Sequence, residues 1–336
     1  MSAKSLTLAH ATGEYAVKSR HSFFASAFAR GRGSLKSWPR HARSDSLGTK
    51  LMSADVNPQD DAYPLDAEQV ARYQREGYLV LPDVVADPAL LPLERTFQRF
   101  IEGRVPGMGR DFCDMSGPYG RAFEDFNLVN AVLPRVYDTS LVDNVFERRA
   151  AAIARQLIGH DIALDYDQFL AKRPKRTRAV FAWHQDLGYW PTGTPDTRTV
   201  TCSLALDDAT LENGCLQVVP GSHREAELRS HRPSAWSSSP ELRAEAHTLT
   251  VELRPTDSIV ALPVRRGSIT VHNERIVHGS PGNTTDGWRR TYVVAFRSRQ
   301  TVEYERRIGF THSHNDTINW KTHLEALDAE PRLARV

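Results

Sequence analysis

Cysteine is scarce in this sequence: 336 residues contain only Cys113, Cys202 and Cys215. Three thiols cannot make a disulfide framework, and their spacings are not those of a zinc finger. No apolar run approaches the about 18 residues of a membrane-spanning helix. Neither sign of charge dominates, since 43 Lys/Arg against 41 Asp/Glu leave +2, which argues against a basic nucleic-acid binder. Internal repeats and a glycine-rich phosphate cradle are also missing. What is present is 40% hydrophobic and 25% charged residues, close to an ordinary globular domain, in a length that suits one or two domains.

The neutral total hides a split. Residues 1–51 hold nine Lys/Arg against Glu14 and Asp45 alone, a local +7, which leaves 34 bases and 39 acids, or −5, for the rest. The segment also has nine serines, Gly31-Arg32-Gly33-Ser34 and no sustained apolar face. That is the composition of an organellar transit peptide, while a secretory signal lacks its apolar core here. A disordered basic tail, or an extension upstream of a second start at Met52-Ser53-Ala54-Asp55, is the simpler reading and the preferred one. Residues 53–64 continue as a polar linker. The expected division is an extension over 1–64 and one folded domain over 65–336.

Order is expected from Leu65. Asp66 and Gln69 form a variant of the capping box. The helix they open runs through Val70 and Tyr73 to a stop at Gly77, and Tyr78–Leu81 reads as a short strand. Asp87-Pro88 reads as cap and first-turn proline, with Leu90, Leu93, Phe97 and Ile101 at helical spacing behind. Residues 104–138 look irregular, and Asp111, Asp114, Glu124 and Asp125 read as a solvated surface loop. Val142 to Leu157 mark a third helix ended by Gly159.

Beyond it the period becomes two. Ile162, Leu164 and Tyr166 alternate with polar residues, as do Val200, Cys202, Leu204 and Leu206. Leu249, Val251 and Leu253 repeat the pattern, with further stretches near 258–262, 267–272 and 290–298. Gly/Pro turns separate them, which is the signature of an antiparallel sandwich or barrel. The expected class is therefore mainly β with flanking helices. Residues 224–246 interrupt the strands as a long loop of the kind that lids a site. The chain after Arg299 is polar and suggests no element.

Two strand-associated segments carry the chemistry. In Phe181–Trp190, His184 and Asp186 stand two apart and can point at one ion from one strand face. His278, 94 residues after His184, lies in Val277-His278-Gly279-Ser280-Pro281. Two imidazoles and a carboxylate on one face of an octahedral metal leave three adjacent positions open, which suits non-haem Fe(II). Arg289 follows on an alternating strand, where a guanidinium fork can take a carboxylate in a bidentate pair. Arg290 is the alternative, since neighbours on a strand face opposite sides. The chain contains its own control: His314-Asn315-Asp316 repeats the short spacing without a later strand and arginine, and reads as surface. The other histidines, among them His160, His223, His247 and His272, read as solvated or structural. Pro220–His223 reads as a structural corner, Asn213-Gly214 as a tight turn, and Cys202 and Cys215 as packing residues. Trp183, Tyr189 and Trp190 divide between core and substrate wall. Asp165 and Asp167 face solvent or line the mouth.

Trp183–Trp190, the linking segment Asp207–His223, and His278-Gly279-Ser280 with Arg289 together resemble the phytanoyl-CoA dioxygenase family over roughly residues 65–300. The resemblance implies a double-stranded β-helix (jelly roll, cupin-like) with Fe(II), 2-oxoglutarate as co-substrate and O2. It implies His184, Asp186 and His278 as the catalytic iron ligands, and Arg289 and Ser280 as the holders of the 2-oxoglutarate carboxylate. Lys172 matches a lysine that the family often turns to the pocket. Asp186 stands where halogenating relatives have a small residue, so halogenation is not expected. The implied activity couples oxidation of 2-oxoglutarate to succinate and CO2 with hydroxylation or oxidative cyclisation at an unactivated C–H bond.

The family's substrates range from acyl-CoA to amino acids, sugars and natural products. Lys172, Arg173, Lys175, Arg176 and Arg178 could serve a CoA arm, although a solvated loop is the simpler reading. A cytoplasmic enzyme of antibiotic or secondary-metabolite tailoring is expected, resembling oxygenases that close rings between sugars. It would act on a sugar-containing natural product, an amino acid or an acyl-CoA, with no nucleic-acid or membrane partner. Nothing in the sequence indicates an oligomeric state. The rivals are a catalytically silent β-helix protein that binds a metal or ligand, and a cupin-type metal enzyme without 2-oxoglutarate.

Overall fold

The computed structural model describes residues 62–191, 193–233 and 248–318. The basic N-terminal segment and residues 234–247 of the long loop lie outside the described residues. Helix α1 (Ala67–Glu76) opens on the reciprocal cap: Asp66 Oδ1 accepts from the Gln69 N–H at 2.7 Å, and Gln69 Oε1 accepts from the Asp66 N–H at 2.8 Å. Strand β1 (Tyr78–Leu81) follows. The folded body already includes Tyr63, whose hydroxyl donates to the Pro82 carbonyl and whose own carbonyl accepts from Gln156.

Helix α2 (Asp87–Ile101) starts one residue away from expectation. Ala86 is its cap, and Asp87 sits in the first turn, 2.7 Å from Arg266. The expected stripe Leu90, Leu93, Phe97 and Ile101 is buried. The 104–138 stretch is less irregular than it reads. It holds β2 (Phe112–Asp114), β3 (Leu128–Val132) and the one-turn α3 (Pro134–Tyr137). Asp111 and Asp114 are buried there, not solvated. Asp114 accepts from the backbone N–H groups of Asn127 and Leu128, and Asp111 accepts from the Tyr137 hydroxyl at 2.7 Å. Each acid ties two chain segments together; Glu124 and Asp125 are exposed as expected. Helix α4 (Val145–Ile158) is capped by the Asn144 side chain and ends at Gly159.

The strands then run β4 (Ile162–Lys172), β5 (Phe181–His184), β6 (Thr199–Ala205), β7 (Leu216–Val218), β8 (Arg232–Pro233), β9 (Leu249–Thr250), β10 (Val260–Leu262), β11 (Ile269–His272), β12 (His278–Ser280) and β13 (Arg289–Ser298). Helix α5 (Arg299–Arg307) follows where the sequence suggested no element. One antiparallel sheet has the order β1-β11-β6-β13-β4-β3-β2, the other β10-β7-β12-β5, and β8 pairs β9 apart from both. With that hairpin set aside, β4 to β13 alternate between the two sheets strand by strand. This winding is the double-stranded β-helix, or jelly roll. Among the described residues no helix is long and apolar enough to cross a membrane.

The larger sheet is buried on both faces. Outside, Phe169 packs on Phe97 at 4.3 Å between ring centres and Tyr292 on Phe146 at 5.4 Å, so α2 and α4 brace β4 and β13. Burying each such ring stabilises the fold by roughly 1.5–3 kcal/mol. Inside, the alternate residues Gln168, Leu170 and Lys172 of β4 and Arg289, Thr291 and Val293 of β13 line a cavity shared with the smaller sheet.

The alternation fails once, with consequences. The β13–β4 register shifts between Ala295 and Phe296 and leaves Asp165 as an extra residue on β4. Asp165 and Asp167 therefore part company. Asp165 meets Arg306 at 2.7 Å and His312 at 2.8 Å, whereas Asp167 accepts from the Tyr292 hydroxyl at 3.2 Å. Both are fully buried, neither at solvent nor at the mouth. Burial pushes the Asp167 carboxyl up to about 7 against the opposing pull of Arg135.

Candidate metal and co-substrate site

His184 closes β5 and His278 opens β12, and the register sets them directly opposite each other. Their ring centres are 4.2 Å apart. Gln185 continues extended (φ −120°, ψ 125°), so Asp186 returns to the His184 side at the start of a 3-10 turn. One ligand atom from each of the three lies within 4.8 Å of the others.

The imidazoles are oriented before any ion arrives. His184 Nδ1 sits 2.6 Å from the Ala182 carbonyl, and His278 Nδ1 sits 3.0 Å from that of Ile276. A ring nitrogen against a carbonyl must carry the proton, so each Nε2 keeps its lone pair for a metal. Both Nε2 atoms face Asp186 Oδ1, at 3.1 and 3.5 Å. Burial alone would raise the Asp186 carboxyl, but His278, His184 and His272 hold it well below the usual range. Burial, then His278, lowers His184; for His278 the Asp186 carboxylate overcomes burial and raises it. An ionised carboxylate and two imidazole lone pairs form an N/N/O donor set of the kind that suits Fe(II).

Arg289 lies in the same cavity, of about 610 Å³, with Ser280 and Lys172. It is 8% exposed, and its buried Nε has no hydrogen-bond partner. Burial pulls it down only to about 10, so it remains a cation. Lys172 is committed otherwise: Nζ donates to the carbonyls of Ser280, at 3.2 Å, and Pro281, while burial and Arg289 push its pKa well down. Gly214 allows this packing. It adopts φ +83° in the expected turn, and a Cβ there would strike the Pro281 carbonyl and crowd Lys172. Arg290 points to the outer face, 2.7 Å from Asp207 and 2.9 Å from Glu94. Lys172 is thus separate from exposed Lys175, Arg176 and Arg178.

Other histidines depart from expectation. His272, on β11, is buried with Nε2 3.2 Å from Asp186 Oδ2, which leaves Oδ1 to the other two rings. Its signal was the alternation of Thr270 and His272 with apolar Ile269 and Val271. Replacing His272 by alanine frees the carboxylate to rotate and is expected to weaken Fe(II) binding about 10–100-fold. Anaerobic titration calorimetry checks it, and an unchanged affinity would count against the orienting role. His314 is half-buried, with Nδ1 2.9 Å from the Tyr119 hydroxyl, and Asp316 accepts from Thr311. Neither is a free surface residue, and they do not converge as a ligand pair. Burial lowers His314 to about 4. His223 bonds the Gln74 carbonyl at its corner, and Cys202 and Cys215 are buried. Trp183 packs against Val219, Val251 and Val277, whereas Tyr189 and Trp190 wall a chamber beside the triad.

Residues 73–291 match the family model of phytanoyl-CoA dioxygenase (PhyH). The ectoine dioxygenase of Stutzerimonas stutzeri (strain A1501) is 30% identical over 250 residues, which cover 69% of this chain and 77% of that protein. EvdO2 from Micromonospora carbonacea var. aurantiaca, solved in complex with 2-oxoglutarate, is 26% identical with a TM-score of 0.54, covering 70% of this chain and 92% of its own. The non-heme alpha ketoglutarate dependent carbocyclase SnoK from nogalamycin biosynthesis shares the fold at 24% identity and a TM-score of 0.55, over 69% and 83% of the two chains.

Proposed function

Because the chain belongs to the phytanoyl-CoA dioxygenase family and is a non-haem Fe(II)- and 2-oxoglutarate-dependent dioxygenase, we propose that His184, Asp186 and His278 hold its iron. In the same reading Arg289 and Ser280 receive the distal carboxylate of 2-oxoglutarate, and Lys172 braces the Ser280–Pro281 backbone beside them. The observation that carries this is Arg289. A buried guanidinium without a protein partner is costly, and a carboxylate ligand offsets that cost with two parallel hydrogen bonds. It shares its cavity with the two imidazoles whose tautomers are preset for a metal.

The iron, with 2-oxoglutarate and O2, supplies the oxidising power that side chains lack. The chain supplies geometry. Ala182 and Ile276 carbonyls fix the rings, His272 fixes the carboxylate, and Arg289 aligns the co-substrate along β13. Aromatic walls keep water from the reacting centre.

The oxidised substrate is proposed to be a small molecule of secondary metabolism, hydroxylated or oxidatively cyclised at a C–H bond. The chamber beside the triad, about 610 Å³, is walled by Phe181, Tyr166, Tyr189, Trp190 and Phe310, and no lysine or arginine among the described residues lines it. That interior suits a compact ring and offers nothing for the phosphates of a CoA arm. The ectoine dioxygenase relative supports a substrate of that size.

Arg289→Ala is expected to raise the Kd for 2-oxoglutarate about 100-fold or more, the scale for losing one partner of a buried charge pair. Arg289→Lys should recover only part, since an ammonium lacks the fork. The weak visible band formed anaerobically with Fe(II) and 2-oxoglutarate reports binding directly. Wild-type affinity in Arg289→Ala would remove this residue from the co-substrate site. Succinate formation across acyl-CoAs, amino acids and aminoglycosides then separates the substrate classes.

A further inference from the structure

The chamber beside the triad is closed by chain that lies beyond the β-helix, the segment after α5 that includes Phe310, His312 and His314. His312 is buried there, edge-on to Trp190 at 4.3 Å and tilted against Tyr166 at 4.8 Å. Its Nε2 stands 2.8 Å from Asp165 Oδ2 and 3.5 Å from Glu305 Oε2. Its Nδ1 is buried and has no hydrogen-bond partner. That atom is the one polar group the ring has left to offer an occupant of the chamber.

The surroundings make it a donor. Arg297, fully buried, ion-pairs with Glu305 and lies 3.6 Å from Asp165 and 3.2 Å from Glu274. Arg306 closes on Asp165 from α5 at 2.7 Å. Burial works against a charged His312, but Asp165 prevails and the imidazolium is favoured. Glu274, pushed up to about 7 by burial, accepts the Trp190 indole N–H at 2.7 Å. With Glu274 protonated, two guanidiniums and one imidazolium face two carboxylates, an excess of one positive charge. The same guanidiniums occupy the carboxylates of the Asp165–Glu305–His312 trio, which removes it as a second metal site.

We propose that His312 Nδ1 donates to a carboxylate of the substrate and so anchors it across the chamber from the metal triad, making a small carboxylate-bearing compound the substrate class. The assignment rests on the reading of the triad as the iron site. No Lys or Arg lines the chamber to compete for such a group, and an anion there balances the excess charge in a setting of low dielectric. His312 is in this sense a specificity-determining residue, with Arg297 as the positioning residue that holds both His312 and, through Glu274, Trp190.

The test uses the full chain labelled with 15N-histidine, with Zn(II) replacing iron and 2-oxoglutarate saturating. L-Proline, ectoine and methyl β-D-glucopyranoside are titrated to millimolar concentration. The His312 resonance is identified by its loss in His312→Gln or, should that variant not fold, by its through-space contact with Trp190. The expected result is a saturable shift of the His312 Nδ1 signal by at least one of the two carboxylates and none by the glucoside. A shift by the glucoside, or by none of the three, overturns the assignment. If His184 and His278 respond to Zn(II) and 2-oxoglutarate in that experiment, the iron-site reading survives; if they do not, both readings fall.

Discussion

His278→Ala is expected to abolish the visible band of the Fe(II)–2-oxoglutarate complex and to reduce succinate formation by about three orders of magnitude or more. Losing a residue that only orients a ligand costs about 10–100-fold in metal affinity, and losing a ligand costs more. Asp186 and His184 alone would leave the ion two protein donors and no fixed face for the co-substrate. His184→Ala is expected to match it. The two imidazoles are equivalent in construction, each braced through Nδ1 by a backbone carbonyl two residues earlier in the chain. The comparison with His272→Ala makes the experiment informative, because the structure ranks the three histidines: two severe losses and one partial. Equal, mild losses in all three would remove the triad from the catalytic centre. Circular dichroism of the metal-free variants separates this outcome from unfolding.

Arg297→Met is expected to destabilise the protein by about 3–5 kcal/mol, the cost of leaving buried carboxylates without their cation. Arg297 is entirely buried, and Asp165, Glu274 and Glu305 all lie within ion-pair distance. Methionine fills much of the space, so the loss is electrostatic rather than a cavity. Two consequences follow from that cause. Glu305→Gln added to the variant should restore part of the stability, because one uncompensated charge is gone. The deficit should also shrink as pH falls from 8 to 5. A carboxyl whose pKa is raised in the folded state binds more protons folded than unfolded, so stability rises as pH drops through that pKa. Urea denaturation at several pH values checks both. A deficit that is pH-independent would point to packing as its source.

Much of the candidate site was legible because its donors sit in short, regular stretches. His184 and Asp186 are two apart on extended chain, and His278 and Arg289 belong to strands whose alternation is plain. The capping box at Asp66 and the turn at Asn213-Gly214 are equally local and form as written. The 104–138 stretch was opaque for the opposite reason. Its strands are three and five residues long, and Asp111 and Asp114 are buried by partners that come from other segments.

The neutral composition, the switch of hydrophobic period after Gly159 and the order of the motif residues are properties of the chain alone, and they determined a β-rich fold with one metal-type donor set. Which of two adjacent arginines enters the cavity was decided by strand register, which turns Arg289 inward and gives Arg290 to Asp207 and Glu94. The roles of His272 and His312 were decided the same way. One meets Asp186 because β11 and β12 belong to facing sheets, the other meets Asp165 because a bulge adds a residue to β4. Alternation along a strand tells which residues share a face. Only the packing of distant strands tells what that face meets, and a buried charge takes its meaning from its partners.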